Sequence, residues 1–292
     1  MPKRRVLLVV NPDKAEAVGD LARARDAVNA HGALIGETDT DSLRAADVEN
    51  AEIVVALGGD GTLLALARRL NSHARPLLGV NLGRVGFLAE FDLDAFVRQA
   101  GMLFDRDHAL QISLRPLLEA SVHGADGAVR AGGLALNDAV VTAGPPFRMI
   151  EVALRIGGED GPKARGDGVV VATPFGSTAY NASAGGPIIV PEVDALAVTP
   201  IAAHSLSFRP LVAPKEAEVE LRMLRVNQCD AGGTTLVLDG QELIPLAHGD
   251  TVTFRLGDRT TPLVRNPEWS YWQTLMGKLH WAAEPRGGGK SS

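Results

Sequence analysis

Short apolar runs alternate with stretches of helix-forming residues from residue 5 to about residue 105. Residues 6–10, 53–57 and 77–80 are apolar runs bounded by Gly, Asn or Pro. Runs of this kind match parallel strands covered on both faces, because a strand with one wet face alternates instead. Residues 15–30 and 63–70 carry helix formers, and Asp92 is placed to cap a helix ending at Phe104. Past that point the period shortens to two in residues 110–114, 152–156, 219–226 and 251–256. Closely spaced strands with Gly and Pro turns predict an antiparallel sandwich or barrel-like unit. The texture changes near Arg106 and separates an α/β region, 1–105, from a β region, 106–265. In the remainder, 266–292, Trp269, Trp272, Leu275, Met276 and Leu279 follow a helical spacing. A helix this apolar has to bury its face, so core packing is the expectation.

A chain of 292 residues is too long for one small core and favours two domains. Its net charge of -6 and pI near 5.7 leave no cationic surplus to displace counterions from nucleic acid, so an anionic ligand must be met locally. The single cysteine, Cys229, excludes an intrachain disulfide or a cysteine metal cluster and points to the cytoplasm. It reads as a small half-buried residue. The basic start, Met1-Pro2-Lys3-Arg4-Arg5, leads into an apolar run that Asn11-Pro12 breaks too early for a signal peptide or membrane helix. The closing Gly287-Gly288-Gly289-Lys290-Ser291-Ser292 resembles the end of a P-loop, but Glu284 stands where the first glycine is required. It reads as a disordered tail.

The segment with most chemistry is Gly58-Gly59-Asp60-Gly61-Thr62, set between an apolar run and a helix-like run. A buried strand that ends in two glycines and opens into a helix brings backbone amides and a helix N-terminus to one point, which suits phosphate. Asp60 in that place repels a phosphate unless it takes a proton or organises a metal; the alternative is that it caps the helix. The run 134–141 is interrupted by Asn137-Asp138, and an amide beside a carboxylate inside apolar sequence demands partners. A turn or bulge accounts for it, and so does a ligand with adjacent hydroxyls such as a ribose. Residues 173–187 form a long stretch of small and hydroxyl side chains. Ser177, Thr178 and Ser183 there offer neutral hydrogen bonds, and Tyr180 offers a stacking face. His204 and Arg209 sit in a polar break, and Asp239-Gly240 has the signature of a two-residue hairpin turn. No Walker loop after a strand, no early G-x-G-x-x-G, no H-E-x-x-H and no G-x-S-x-G is present, which removes support from the commonest ATPases, dehydrogenases, zinc hydrolases and esterases.

Taken in order, these segments resemble the NAD kinase family. The residues that carry the resemblance are Gly58-Gly59-Asp60-Gly61-Thr62, Asn81-Leu82-Gly83-Arg84-Val85-Gly86-Phe87-Leu88, Leu136-Asn137-Asp138, the block 167–187, His204-Ser205-Leu206-Ser207 with Arg209-Pro210-Leu211-Val212, and Asp239-Gly240-Gln241. The resemblance implies a Rossmann-like N-terminal α/β domain, a C-terminal antiparallel β-sandwich, and a terminal segment that returns to the first domain. It implies Mg2+-dependent transfer of a phosphoryl group from ATP or polyphosphate to the 2'-hydroxyl of the adenosine ribose of NAD, in a homodimer or homotetramer, with no nucleic-acid or membrane partner. Asp60 matches the proposed base, while Gly58, Gly59, Gly61 and Thr62 match the phosphate-facing loop. Phe87, Asn137, Asp138, Asp167, Thr178, Ala179, Tyr180, Ser183, Ala202 and His204 match residues around NAD, the last two close to a subunit interface. Metal ligands are not assigned. Two positions depart from the family pattern: Phe175 replaces a usual threonine, and Phe208 stands where a small residue or Asn is common. The competing readings are another GGDG-type kinase acting on a lipid or sugar hydroxyl, and an NAD-binding sensor that has lost turnover.

Overall fold

The computed structural model describes residues 2–11, 18–70, 75–83, 86–229 and 232–282. The closing glycine-rich tail, Arg84 and Val85 of the resemblance, and the start of the 15–30 run lie outside the described residues. The chain divides into two compact units, one of Met1–Leu63, Pro76–Ser113 and Leu263–Ser292, the other of Leu64–Arg75 and Leu114–Pro262.

In the first unit the apolar runs form parallel strands in the order Ala33–Asp39, Arg5–Val10, Ile53–Gly58, Leu77–Asn81. Every residue of Ile53–Gly58 is buried, which is why its sequence does not alternate. Helices Val18–His31 and Leu93–Phe104 supply Val28, Phe96 and Phe104 to the same core as Val6, Leu8, Ile53 and Val55. Asp92 caps the second of these helices as expected, accepting from Ala95 N at 2.7 Å. Strand Ala33–Asp39 carries no apolar run because it is the half-exposed edge of the sheet.

The chain end returns to this unit, with Leu263 paired in parallel to Leu77. Polar contacts hold it there. Asn266 donates its backbone N–H to Glu90 Oε2 (2.9 Å) and its side-chain amide to the Glu90 carbonyl (3.0 Å), and accepts from Gln99 Nε2 (3.0 Å). Helix Tyr271–Leu279 buries only Leu275 fully, while Trp272 and Met276 are 52% and 48% exposed. The expectation of core packing for the whole aromatic stripe is therefore corrected: the helix is seated on one edge and leaves its outer row in solvent.

The second unit contains two antiparallel sheets. In one, the strand order is Leu211–Pro214, Ala195–Ile201, Gly168–Ala172, Asp138–Thr142, Thr235–Leu238, Glu242–Pro245. In the other, Glu159–Gly166, Ile150–Ile156, Val219–Arg225 and the first part of Thr251–Val264 are neighbours, and Ile112–His123 joins Thr251–Val264 to Val129–Ala135. Alternation along these strands builds the core: Val152, Leu154, Leu221, Met223, Val252 and Phe254 point inward. Phe208 packs partly buried against that core. Strands Val129–Ala135 and Asp138–Thr142 belong to different sheets, so the polar interruption at Asn137-Asp138 marks where the chain crosses between them. Cys229 is exposed rather than half-buried, because Gln228–Cys229 is a short two-residue strand away from both main sheets. Among the described residues no helix is long and apolar enough to cross a membrane.

Candidate active site

In the first unit the strand Ile53–Gly58 leads directly into helix Asp60–Arg69. The Gly59 carbonyl accepts from Thr62 N (3.0 Å) and Leu63 N (3.2 Å), which makes Gly59 the capping position and Asp60 the first helical residue. The Asp60 carboxylate does not cap the helix. It accepts from the backbone N–H groups of Phe87 (3.0 Å), Leu88 (3.3 Å) and Ala89 (3.0 Å). A carboxylate offers about four lone-pair sites, so these three amides orient it and leave capacity for one more donor. A Cβ on Gly86 would overlap Asp60, so that glycine is required for the approach. Gly58 is constrained in the same way by the Thr62 hydroxyl, which also accepts from Asn11 Nδ2 at 3.2 Å. Phe87 ties the loop to the chain end: its ring centroid lies 6.2 Å from that of Tyr271, with Lys278 Nζ 6.0 Å away.

In the second unit a pocket of about 430 Å3 is lined by residues that include Asn137, Asp138, Ala179, Tyr180 and Asp239. Asn137 Oδ1 is buried without a hydrogen-bond partner among the described residues. An orphaned acceptor beside a cavity is what a ligand donor satisfies. Asp138 is 5% exposed, and burial, reinforced by the charge of Asp239, pushes its carboxyl up to about 7 against the opposing N–H of Tyr180. Asp239 accepts from the backbone N–H groups of Leu136 (2.9 Å), Asn137 (2.8 Å) and Asp138 (3.2 Å). Arg68, from the far end of helix Asp60–Arg69, reaches Asp239 Oδ2 at 3.3 Å and Gln241 Oε1 at 2.6 Å. Burial raises the Asp239 carboxyl too, while the amides and Arg68 work against it. Those donors favour charge on Asp239, whereas the Asp138 carboxyl has only the Tyr180 N–H to favour its charge.

Asp239 is thus both the hairpin turn read in the sequence, with φ of 49° followed by Gly240 at 69°, and the clamp that shapes the Asn137-Asp138 crossing. Local sequence could not separate the two roles. The demand for partners at Asn137-Asp138 was the available signal, and it did not say which residue would answer.

The small-residue stretch forms a 3-10 turn, Phe175–Thr178, and a short helix, Tyr180–Ser183. Thr173 Oγ1 donates to the Leu136 carbonyl at 2.7 Å, and a Cβ on Gly176 would overlap the Asn137 backbone, so the turn is pressed against the crossing. Ser177, read as a ligand hydroxyl, is instead fully buried and bonded to the Pro174 and Ile189 carbonyls. Phe175 lies under the Arg115 guanidinium, 4.2 Å from the ring centroid, and Arg115 is itself buried. Thr178 and Ser183 flank the pocket without lining it. Asp167, Ala202 and His204 gather at the opposite end of strand Gly168–Ala172, where Asp167 N donates to the Ile201 carbonyl at 2.9 Å. That is about 13 Å along a strand of this length. His204 lines a separate recess of about 300 Å3 with Glu151, Arg165 and Phe208 among its neighbours.

Family models for the ATP-NAD kinase N-terminal domain and the ATP-NAD kinase C-terminal domain match residues 21–108 and 136–266. An NAD kinase of Acidobacterium capsulatum is 37% identical over 289 residues, covering 95% of this chain and 99% of that protein. The chain belongs to the NAD kinase family. An NAD kinase of Wolinella succinogenes is 39% identical over 253 residues, covering 86% of this chain and 82% of its own length. Among solved NAD kinase structures, that of the Archaeoglobus fulgidus enzyme in complex with ATP superposes with a TM-score of 0.75 at 27% identity, covering 94% of this chain and 98% of the other. Yeast NADH kinase complexed with NADH shares the fold, with a TM-score of 0.83 at 24% identity over 99% of this chain and 90% of the other.

Proposed function

We propose that this chain transfers a phosphoryl group to the 2'-hydroxyl of the adenosine ribose of NAD, forming NADP, with ATP or inorganic polyphosphate as donor. The observation that carries this reading is the Asp60 carboxylate, oriented by three amides at the start of a helix on a glycine loop, with room to accept one more donor. A ribose hydroxyl is a poor nucleophile near neutral pH, and a positioned carboxylate that takes its proton is the expected remedy. Gly58, Gly59, Gly61 and Thr62 face the donor phosphates, for which the helix start is suited. The relative solved with ATP supports ATP as the donor.

In this reading Asn137 and Asp138 hold ribose and adenine-side groups, and Thr178, Ala179, Tyr180 and Ser183 surround the adenosine. Asp167 contacts the nicotinamide end, and the zone near Ala202 and His204 completes the pocket. Thr142, at the far end of that pocket, pairs with Gly168, so Asp167 stands where the pocket runs out along the strand, and the family resemblance puts Ala202 and His204 close to a subunit interface of a homodimer or homotetramer. The α/β region 1–105 handles phosphate, 106–265 handles NAD, and the helix within 266–292 packs back on the first. The single cysteine supports a cytoplasmic setting.

A divalent ion such as Mg2+ fits this donor set as one carried on the phosphates. Among the described residues no three His, Cys, Asp or Glu side chains converge, and Mg2+ bound through phosphate oxygens needs only one or two protein carboxylates. The ion would be carried on the donor phosphates beside the Gly58–Thr62 loop and would offset their charge, leaving Asp60 to the ribose proton. Incubating purified protein with NAD, ATP and Mg2+ tests the proposal by formation of NADP. Bound NAD without product from any donor identifies a sensor, and product on a lipid or sugar hydroxyl alone identifies a different GGDG-type kinase.

A further inference from the structure

The outward face of the second unit's strands Glu159–Gly166, Ile150–Ile156 and Val219–Arg225 is a lattice of charges that largely cancels. Arg165 pairs with Glu151, and Arg155 pairs with both Glu220 and Asp160. Lys163 and Arg222 are different: among the described residues the side chain of neither has an ion pair or hydrogen bond. Register places these two cations in one cross-strand row, each opposite Ala153. Their backbones are two strand spacings apart, about 10 Å, and the residue between them ends at a methyl group. No carboxylate stands in that row.

Over it lies a groove of about 740 Å3, lined by Lys163, Arg222 and Ala153 and by the balanced row of Arg155, Glu220 and Asp160. His123, whose Nε2 is 3.3 Å from Thr253 Oγ1, lines it too, and Gly124, Gly127, Gly161 and Gly249 expose backbone to it. The groove belongs wholly to the second unit and shares no residue with the pocket of Asn137 and Asp138. Its three Lys and Arg side chains outnumber its two carboxylates in a chain whose net charge is -6. Unpaired cations about 10 Å apart at the backbone, on long flexible stems, can each take one end of an elongated polyanion or converge on it. The volume is that of a small-molecule site and far exceeds a single phosphate.

We propose that this groove binds a small oligophosphate, either free or carried on a nucleotide, through Lys163 and Arg222. Isothermal titration at low ionic strength with tripolyphosphate, ADP and citrate, on the full chain and on the Lys163→Gln/Arg222→Gln double variant, tests it. Any phosphate bound at the Asp60 loop is common to both proteins and cancels in the comparison. The expected result is a class of tripolyphosphate sites present in the parent and weakened about tenfold or more in the variant, the scale of losing charge-assisted contacts. Loss of ADP binding alone assigns the nucleotide-borne form. Identical isotherms in the two proteins, or citrate bound more tightly than tripolyphosphate, overturn the proposal. Thermal melting of the unliganded variant checks its fold, and Arg222→Gln alone gives an intermediate loss if both cations contribute.

Discussion

Replacing Asp239 with asparagine removes an acceptor that no neighbouring group supplies. Asp239 Oδ1 receives the N–H groups of Asn137 and Asp138, and Oδ2 receives that of Leu136 together with the Arg68 guanidinium. The asparagine carbonyl can keep the first pair, but its NH2 then faces the Leu136 amide and Arg68, donor against donors. Leaving one buried amide unpaired costs about 1–3 kcal/mol. Breaking a fully buried ion pair costs about 3–5 kcal/mol, and only part of that applies because Arg68 keeps Gln241 and the Leu238 carbonyl. The expected loss is about 2–4 kcal/mol, within a native stability of about 5–15 kcal/mol. At an m-value of about 2 kcal/mol/M the urea midpoint falls by about 1–2 M with unchanged slope. A loss below about 0.5 kcal/mol, the range of ordinary surface substitutions, refutes the clamp. A second readout is the Asp138 carboxyl, followed by 13C NMR: without Asp239 it moves down from about 7, and an unmoved titration refutes the coupling.

Asp138 also sets a pH dependence. Its folded value, about 7, lies above the ordinary 3.8, so between these the folded chain holds a proton that the unfolded chain has released. Its contribution to stability is therefore present at low pH and is lost as pH rises through about 7. Asp138→Asn should flatten the change in urea midpoint between pH 5 and pH 8; equal slopes in the two proteins contradict the assignment. For Phe175→Thr, the lost contact with Arg115 lowers stability by about 1–2 kcal/mol, while kcat/KM for NAD changes by less than about tenfold. A larger gain in kcat/KM shows that the ring obstructs the substrate.

How much was legible depended on whether the cause was local. The strands Arg5–Val10, Ile53–Gly58 and Leu77–Asn81 were visible because burial on both faces leaves an unbroken apolar run. Ala33–Asp39 was not, since an edge strand is held by backbone pairing with Arg5–Val10 and needs no such run. The interruption at Asn137-Asp138 announced that something satisfies it, yet the partner, Asp239, lies about a hundred residues on and is joined by tertiary pairing of Thr235–Leu238 with Asp138–Thr142. Ser177 looked like a ligand group because its type suits one, and only burial shows its hydroxyl donating within its own turn to the Pro174 carbonyl at 2.6 Å. The aromatic stripe of the chain end showed the opposite failure: periodicity identified the helix Tyr271–Leu279 but not how little of it is covered.

The central claim is that Asp60 accepts the proton of the attacking ribose hydroxyl. Turnover and NAD affinity of the Asp60→Asn variant, measured together with ATP and Mg2+ present, test it most directly. The amide side chain cannot take the proton, so kcat should fall by roughly 100-fold or more while the NAD dissociation constant changes by less than about threefold. Unchanged turnover with unchanged NAD affinity would contradict it.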